Sequence, residues 1–239
     1  MTARGGAGPD LGDLPTGDEK VAMVRGMFDT IAPRYDLVNR LMTFGLDGIW
    51  RRRTVSALAL PPGSVVLDLA CGTGDLCRLL SRRGLRPLGI DLSAGMLATG
   101  RAGVPLAQGD GSALPLGVAS VDGATCGFAL RNFADLPTVL AELGRVVRPG
   151  GRIALLDVAE PSNSVLRWGH RVWFTRGAPL IGGLLSDAPA YRYLPRSVAY
   201  LPPGEELRAM VARGGFSGVN RHLLMGGIVQ LVTATRVGR

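Results

Sequence analysis

The stretch VVLDLACGTGDL, residues 65–76, decides how the rest of the chain is read. Val65, Val66, Leu67 and Leu69 form a short apolar run that opens on β-branched residues, the pattern of a buried strand. Gly72-Thr73-Gly74 ends the run, and a helical segment over 74–83 follows. Glycines let a ligand come close to the main chain, and a helix start offers unpaired N–H groups. The loop is not a complete dinucleotide fingerprint, because Cys77 stands where the third glycine would be. It is not a phosphate loop either, since no Gly-Lys-Ser/Thr is present.

Two carboxylates say what the loop holds instead. Asp91 lies 19 residues beyond Gly72, at the end of the next expected strand, where it can accept both hydroxyls of a ribose. Gly109-Asp110-Gly111 follows the third expected strand, where Asp110 can accept from an exocyclic amine such as adenine N6. Asp68, near the end of the first strand, is expected to add negative charge beside a cationic ligand. A nucleoside that carries positive charge and makes no strong demand for a pyrophosphate site is S-adenosylmethionine.

Outward from this loop the chain alternates. Strands are expected at 65–70, 86–90, 104–107, 122–130 and 152–158, with helices at 74–83, 93–101 and 136–147 between them. Such alternation requires a mostly parallel sheet with helices on both faces. Residues 205–213 read as a helix. Residues 216–224 and 228–236 read as a hairpin around Gly226-Gly227, at the sheet edge. Before the sheet, Val24, Met27, Phe28 and Ile31 recur at helical spacing, and Pro61-Pro62-Gly63 closes that region. The division expected is a disordered tail over 1–20 and a single domain over 21–239, with an N-terminal helical cap (21–60) and an aromatic insert (160–203) that serves as a lid.

Composition sets outer bounds. At 239 residues and 46% apolar the chain supports one sizeable core. The net charge of +8 comes almost entirely from scattered arginines, and Lys20 is the only lysine. Cys71, Cys77 and Cys126 are odd in number and lack CxxC spacing, and His170 and His222 lack the spacing of a metal motif, so no metal site is expected. Neither a signal peptide nor a long apolar span is present, and a cytoplasmic setting is the expectation.

Further stretches give the chain a narrower likeness. MFDTIAPRYDLVNRLMTFGLDGIWRR, LDLACGTGD, GIDLSAGML, GDGSALP, FALRNFAD, LGRVVRPGG and YRYLPRSV occur in that order. In these the sequence resembles class I methyltransferases, and more closely the menaquinone and ubiquinone biosynthesis C-methyltransferase family, over 24–236. The resemblance implies a Rossmann-like α/β fold with a seven-stranded, mostly parallel sheet. It implies S-adenosylmethionine across the carboxyl ends of the strands, bound by Tyr35, Gly72, Thr73, Gly74, Asp91, Asp110 and Gly111. The implied reaction is C-methylation of a prenylated quinol, demethylmenaquinol to menaquinol. A small phenolic or secondary metabolite is the alternative acceptor. Gly127 stands where the family usually has Ser, and the last strand departs from the family's usual ending.

Arg131 is the candidate catalytic residue, a cation to stabilise a phenolate, with Asp157 at the next strand end to orient it. Trp168, Val172 and Trp173, flanked by Arg167, Arg171 and Arg176, form a candidate peripheral membrane contact. No nucleic-acid partner is expected, since neither a base-methylation Pro-Pro motif nor an RNA-binding appendage is present.

Overall fold

A computed structural model describes residues 15–100, 103–161, 163–177, 193 and 196–238. Seven strands form one sheet in the order β3-β2-β1-β4-β5-β7-β6. They are β1 (Val65–Leu69), β2 (Arg86–Asp91), β3 (Leu106–Gln108), β4 (Val121–Gly127), β5 (Val147–Val158), β6 (Phe216–Leu224) and β7 (Val229–Arg236). The first five pair in parallel; β7 runs antiparallel between β5 and β6. The expected hairpin at the edge is therefore present, and it folds back so that its second strand is the inner one. Gly226 and Gly227, at φ 68° and 96°, make the reversal in a conformation that side chains disfavour.

Side-chain alternation explains the two layers. Ile153 and Leu155 of β5 join one core cluster, and Ala154 and Leu156 join the other. The same period of two sorts Val232 and Ala234 from Val229 and Leu231 on β7. One face is covered by α6 (Leu136–Val146) and α8 (Gly204–Arg213), through Leu140, Leu143, Leu207 and Val211. The other is covered by α3 (Asp47–Leu58) and α4 (Asp75–Arg82), through Trp50, Leu58, Leu76 and Leu80. Each such fully buried leucine contributes about 1.5–3 kcal/mol relative to exposure.

Local signals set the helix starts. Ser93 caps α5 (Ala94–Thr99) by accepting from the Met96 amide, and Asp135 caps α6 by accepting from the Thr138 amide, with Pro137 in the first turn. Two boundaries differ from expectation. The strand expected over 122–130 leaves the sheet at Gly127, because Phe128 takes φ 64° and the chain winds into a short 3₁₀ turn, Leu130–Asn132. β5 begins at Val147 rather than 152, since Val147 already pairs with Val121 ahead of the Pro149-Gly150-Gly151 segment.

The N-terminal cap consists of α1 (Gly17–Ile31), α2 (Tyr35–Met42) and α3, with Pro33 breaking the first from the second. Residues 17–20, expected in the tail, belong to α1. Beyond β5, α7 (Ser164–Val172) opens the insert, and most of 178–195 lies outside the described residues.

Candidate functional site

A cavity of about 440 Å³ opens at the carboxyl ends of β1, β2 and β4, a volume in the range of small-molecule sites. Gly72 and Thr73 line it from the loop after β1, Asp91 from the end of β2, Asp110 and Gly111 from the loop after β3, and Tyr35 from the cap. Six of the seven sequence-derived cofactor residues are thus brought together. The seventh, Gly74, is not on the wall. Its amide closes a turn onto the Cys71 carbonyl (2.9 Å), and its φ of 84° starts α4, so it shapes the loop from behind.

The loop is built for close approach. Gly72 has φ 57°, and a Cβ there would stand 3.0 Å from the Met96 methyl. Asp91 fixes it: Oδ2 accepts from the Gly72 amide (2.7 Å) and Oδ1 from the Ser93 amide (2.8 Å). Burial raises the Asp91 carboxyl, and the Ser93 and Gly72 amides oppose that rise. Each carboxylate oxygen keeps lone-pair capacity for a ribose hydroxyl. Asp110 takes the Ser112 amide and hydroxyl on Oδ1, both at 2.8 Å, leaving Oδ2 for an amine. A Cβ on Gly111 would meet the Phe133 ring at 3.1 Å and Leu69 at 3.3 Å, so glycine keeps this wall open. A glycine cradle, a ribose-height carboxylate and a second carboxylate beyond it fit S-adenosylmethionine.

Asp68 does not face this cavity. It shares strand parity with Val66, which points to the α4 side, and lies fully buried between the Thr125 hydroxyl (2.8 Å) and the Cys77 thiol (3.4 Å). Burial pushes its carboxyl up to about 6. Its expected part in binding a cationic ligand is therefore corrected to a core role.

The cap is pinned over the cavity at three places. The Lys20 ammonium donates to the Arg131 carbonyl (3.0 Å) and the Phe133 carbonyl (2.8 Å), and lies 3.5 Å from the centre of the Tyr200 ring. Burial lowers it to about 8. Asp29 of α1 accepts from the Ser93 hydroxyl (2.6 Å) and the Gly95 amide (2.8 Å). Thr73 spends its hydroxyl on Asp36 of α2 (2.8 Å).

A second cavity, about 380 Å³, is almost wholly apolar. Phe28, Tyr35, Phe128 and Asn132 line both cavities and form the wall between them. Met42, Trp50, Val158, Leu166, Trp173 and Ile228 supply much of the remainder. Its polar lining is limited to a few side chains, among them Asn39, Thr43, Arg131, Asn132 and Tyr193. Arg131 is buried, donating from Nε to the Ser197 hydroxyl (3.0 Å), from Nη1 to the Phe128 carbonyl (2.8 Å), and to Asp157. Asp157 also accepts from the Val158 amide (2.7 Å) and, more weakly, from the Arg131 amide (3.3 Å), so it orients Arg131. Asn132 Oδ1 and the Tyr193 hydroxyl are buried with no hydrogen-bond partner among the described residues. Burial pushes the Tyr193 phenol up to about 12, which keeps it a donor. Unpaired buried polar atoms are costly, so these two mark where a polar ligand edge belongs.

The sequence missed Asn132, Tyr193 and the aromatic partition. Asn132 follows Arg131 directly in the 3₁₀ turn after β4, and that adjacency was the one signal that could have found it. Trp168 and Trp173 part company: Trp168 is 70% exposed, while Trp173 stacks on Phe44 at 4.9 Å and lines the apolar cavity. The side chain of Arg171 lies outside the described residues. All three cysteines are buried and free, His222 is exposed on β6, and no metal-binding cluster occurs among the described residues. No helix among them is long and apolar enough to cross a membrane.

Comparison with known proteins gives the chain its family. The model of the ubiE/COQ5 methyltransferase family matches residues 16–236. The chain is 42% identical over 220 residues to a demethylmenaquinone methyltransferase of Thermus thermophilus, covering 88% of this chain and all of that one. It is 41% identical over 224 residues to the ubiquinone/menaquinone biosynthesis C-methyltransferase UbiE of Syntrophotalea carbinolica, covering 89% and 93%. Among solved structures, a SAM-dependent methyltransferase from Thermotoga maritima shares the fold at a TM-score of 0.63 and 18% identity, over 89% of this chain and 99% of that one. With cavity, glycine loop and carboxylates in place, the chain belongs to the ubiE/COQ5 methyltransferase family and is an S-adenosylmethionine-dependent methyltransferase.

Proposed function

We propose that this protein methylates a ring carbon of a prenylated quinol, converting demethylmenaquinol to menaquinol. The observation that carries the proposal is the largely apolar cavity sharing an aromatic wall with the cofactor cavity, with the few polar side chains Arg131, Asn132 and Tyr193 on its lining beside Asn39 and Thr43. A prenylated hydroquinone has that same division of character. The names of the relatives point to the same acceptor.

S-adenosylmethionine supplies a methyl group already activated by its sulfonium. The chain's part is to place the acceptor carbon and raise its electron density. A quinol ring becomes nucleophilic when a hydroxyl loses its proton, and a fixed cation stabilises the resulting oxyanion. Arg131 fills that role, held rigid by Asp157, Ser197 and the Phe128 carbonyl. Tyr193 donates to a ring oxygen and Asn132 accepts from a ring hydroxyl. In the net reaction a ring C–H becomes C–CH₃ and one proton is released. In the cofactor cavity, Asp91 takes the ribose, Asp110 and Gly111 the adenine, Gly72 and Thr73 the loop side, and Tyr35 the cap side, with Gly74 shaping the loop.

Residues 160–203 act as the lid over the acceptor, supported by the part of the wall that Val165, Leu166, Gly169, Trp173 and Tyr193 supply. We also infer that the rim of the acceptor cavity rests on a bilayer. Phe44 (72%), Val165 (73%) and Met225 (53%) line the cavity yet are largely exposed, with Trp168 beside them. A chain of net charge +8 suits an anionic surface, and a prenyl tail would enter from the lipid side.

Transfer of labelled methyl from S-adenosylmethionine to reduced demethylmenaquinone in detergent tests the proposal. Label on the ring carbon is the expected result. Cofactor binding without label in the quinol would refute the acceptor and direct the search to small phenols. For the membrane contact, Phe44→Ser with Met225→Ser should abolish flotation with anionic vesicles; undiminished flotation would rule that surface out.

A further inference from the structure

We propose that Arg51 is the anchor for the carboxylate at the amino-acid end of the cofactor, an inference that rests on the S-adenosylmethionine reading above. Arg51 stands in α3 beside Arg52 and Arg53, which are exposed, yet Arg51 itself is only 7% exposed and lines the cofactor cavity. Its Nε is buried without a hydrogen-bond partner, and its terminal nitrogens make no hydrogen bond among the described residues. A buried guanidinium carries five N–H donors, and leaving them unused is unfavourable unless a ligand completes them.

The acidic neighbours do not complete them. Asp47 and Asp75 lie 3.5 and 3.8 Å from Arg51, which is ion-pair distance without hydrogen bonding. Each is better served elsewhere: Asp47 accepts from the Thr43 hydroxyl at 3.0 Å, and Asp75 accepts from Arg78. The two carboxylates hold the guanidinium charge in place while leaving its fork free. That charge is felt in the cavity region, since it opposes the burial-driven rise of the Tyr35 phenol and the Asp68 carboxyl.

Position decides which part of the ligand Arg51 meets. Adenine and ribose groups belong at the ends of β3 and β2, by Asp110 and Asp91. Arg51 is at the other end, beside Gly127, the last residue of β4: its Nη1 lies 4.0 Å from where a Gly127 Cβ would stand. Three strand spacings separate β3 from β4, about 14 Å. A nucleoside extended by an amino-acid chain spans that distance, and the group at its far end that calls for a planar, bidentate cation is the carboxylate. Gly127 offers no side chain of its own there, and a Cβ would be 2.9 Å from Leu76, so the recognition at this end falls to Arg51.

The test compares two ligands on the full chain by titration calorimetry. S-adenosylhomocysteine carries the carboxylate; methylthioadenosine keeps the nucleoside and sulfur but lacks the amino-acid end. Arg51→Met should weaken S-adenosylhomocysteine by about 10- to 100-fold while methylthioadenosine changes by less than about 2-fold. Arg51→Lys keeps the charge between Asp47 and Asp75 without the fork, and should fall between wild type and Arg51→Met for S-adenosylhomocysteine alone. Equal losses for both ligands in Arg51→Lys, or no loss for either, would overturn the assignment. Wild type that binds neither ligand would overturn the cofactor reading along with it.

Discussion

Removing the carboxylate of Asp157 should cost this protein far more than loss of an ordinary ion pair. Asp157 is fully buried and Arg131 is 5% exposed, so neither charge has water to fall back on. Exposed pairs contribute about 0–1 kcal/mol, whereas removing one partner of a buried pair costs about 3–5 kcal/mol because the other charge stays behind unpaired. In Asp157→Ala, Arg131 keeps the Ser197 hydroxyl and the Phe128 carbonyl, which softens the loss. Against that, the Val158 amide loses its 2.7 Å acceptor. The two corrections are of similar size, and about 4 kcal/mol is expected by urea unfolding at neutral pH with an unchanged m value. Arg131→Met combined with Asp157→Leu should cost less than the sum of the single changes by at least about 2 kcal/mol. Arg131 does not line the cofactor cavity, so Arg131→Met should leave S-adenosylhomocysteine affinity within about 2-fold while methyl transfer drops by at least about 100-fold. A cost near 1 kcal/mol with additive energies, or full turnover without the guanidinium, would refute the reasoning.

Asp91→Asn exchanges one of two amide acceptors for an N–H₂ group facing an N–H, and should weaken S-adenosylhomocysteine about 10- to 100-fold by calorimetry. A change below about 3-fold would mean that Asp91 serves the loop alone. Gly144→Ala gains helix propensity, yet its Cβ would run into the Gly214 carbonyl; net destabilisation of about 1–3 kcal/mol is expected in thermal or urea unfolding. Asp68, raised to about 6 by burial, holds more protons in the folded than in the unfolded chain between about pH 4 and 6. Stability therefore falls with rising pH across that window and levels off above it. The unfolding free energy of wild type relative to Asp68→Asn should drop by up to about 3 kcal/mol from pH 4 to pH 7, and a flat difference would contradict the burial argument.

What the sequence by itself determined is local. The strand-loop-helix at 65–76 was legible because period, β-branching and glycine punctuation act within a dozen residues. Asp91 and Asp110 were legible because a carboxylate closing a parallel strand always arrives at the same edge of the sheet. Arg131 was expected at the end of a strand over 122–130, but β4 ends at Gly127 and Arg131 lies buried in the 3₁₀ turn beyond it. That depends on Phe128 turning the chain out of β4, and on Asp157 and Ser197, 26 and 66 residues away in sequence, closing around it.

Tertiary structure alone decided the rest. Asp68 changed from ligand neighbour to core residue through strand parity, which turned it toward Cys77. Nothing in the sequence marked Lys20 or Arg51 for burial, yet folding buries both, Lys20 on two backbone carbonyls and Arg51 on the wall of the cofactor cavity with its Nε lacking a hydrogen-bond partner among the described residues. The apolar cavity draws its wall from α1, α2, β5, α7 and the β6–β7 turn. No window of sequence contains those pieces together, because a cavity is a property of surfaces that meet only when the helical cap and the insert close over the same end of the sheet.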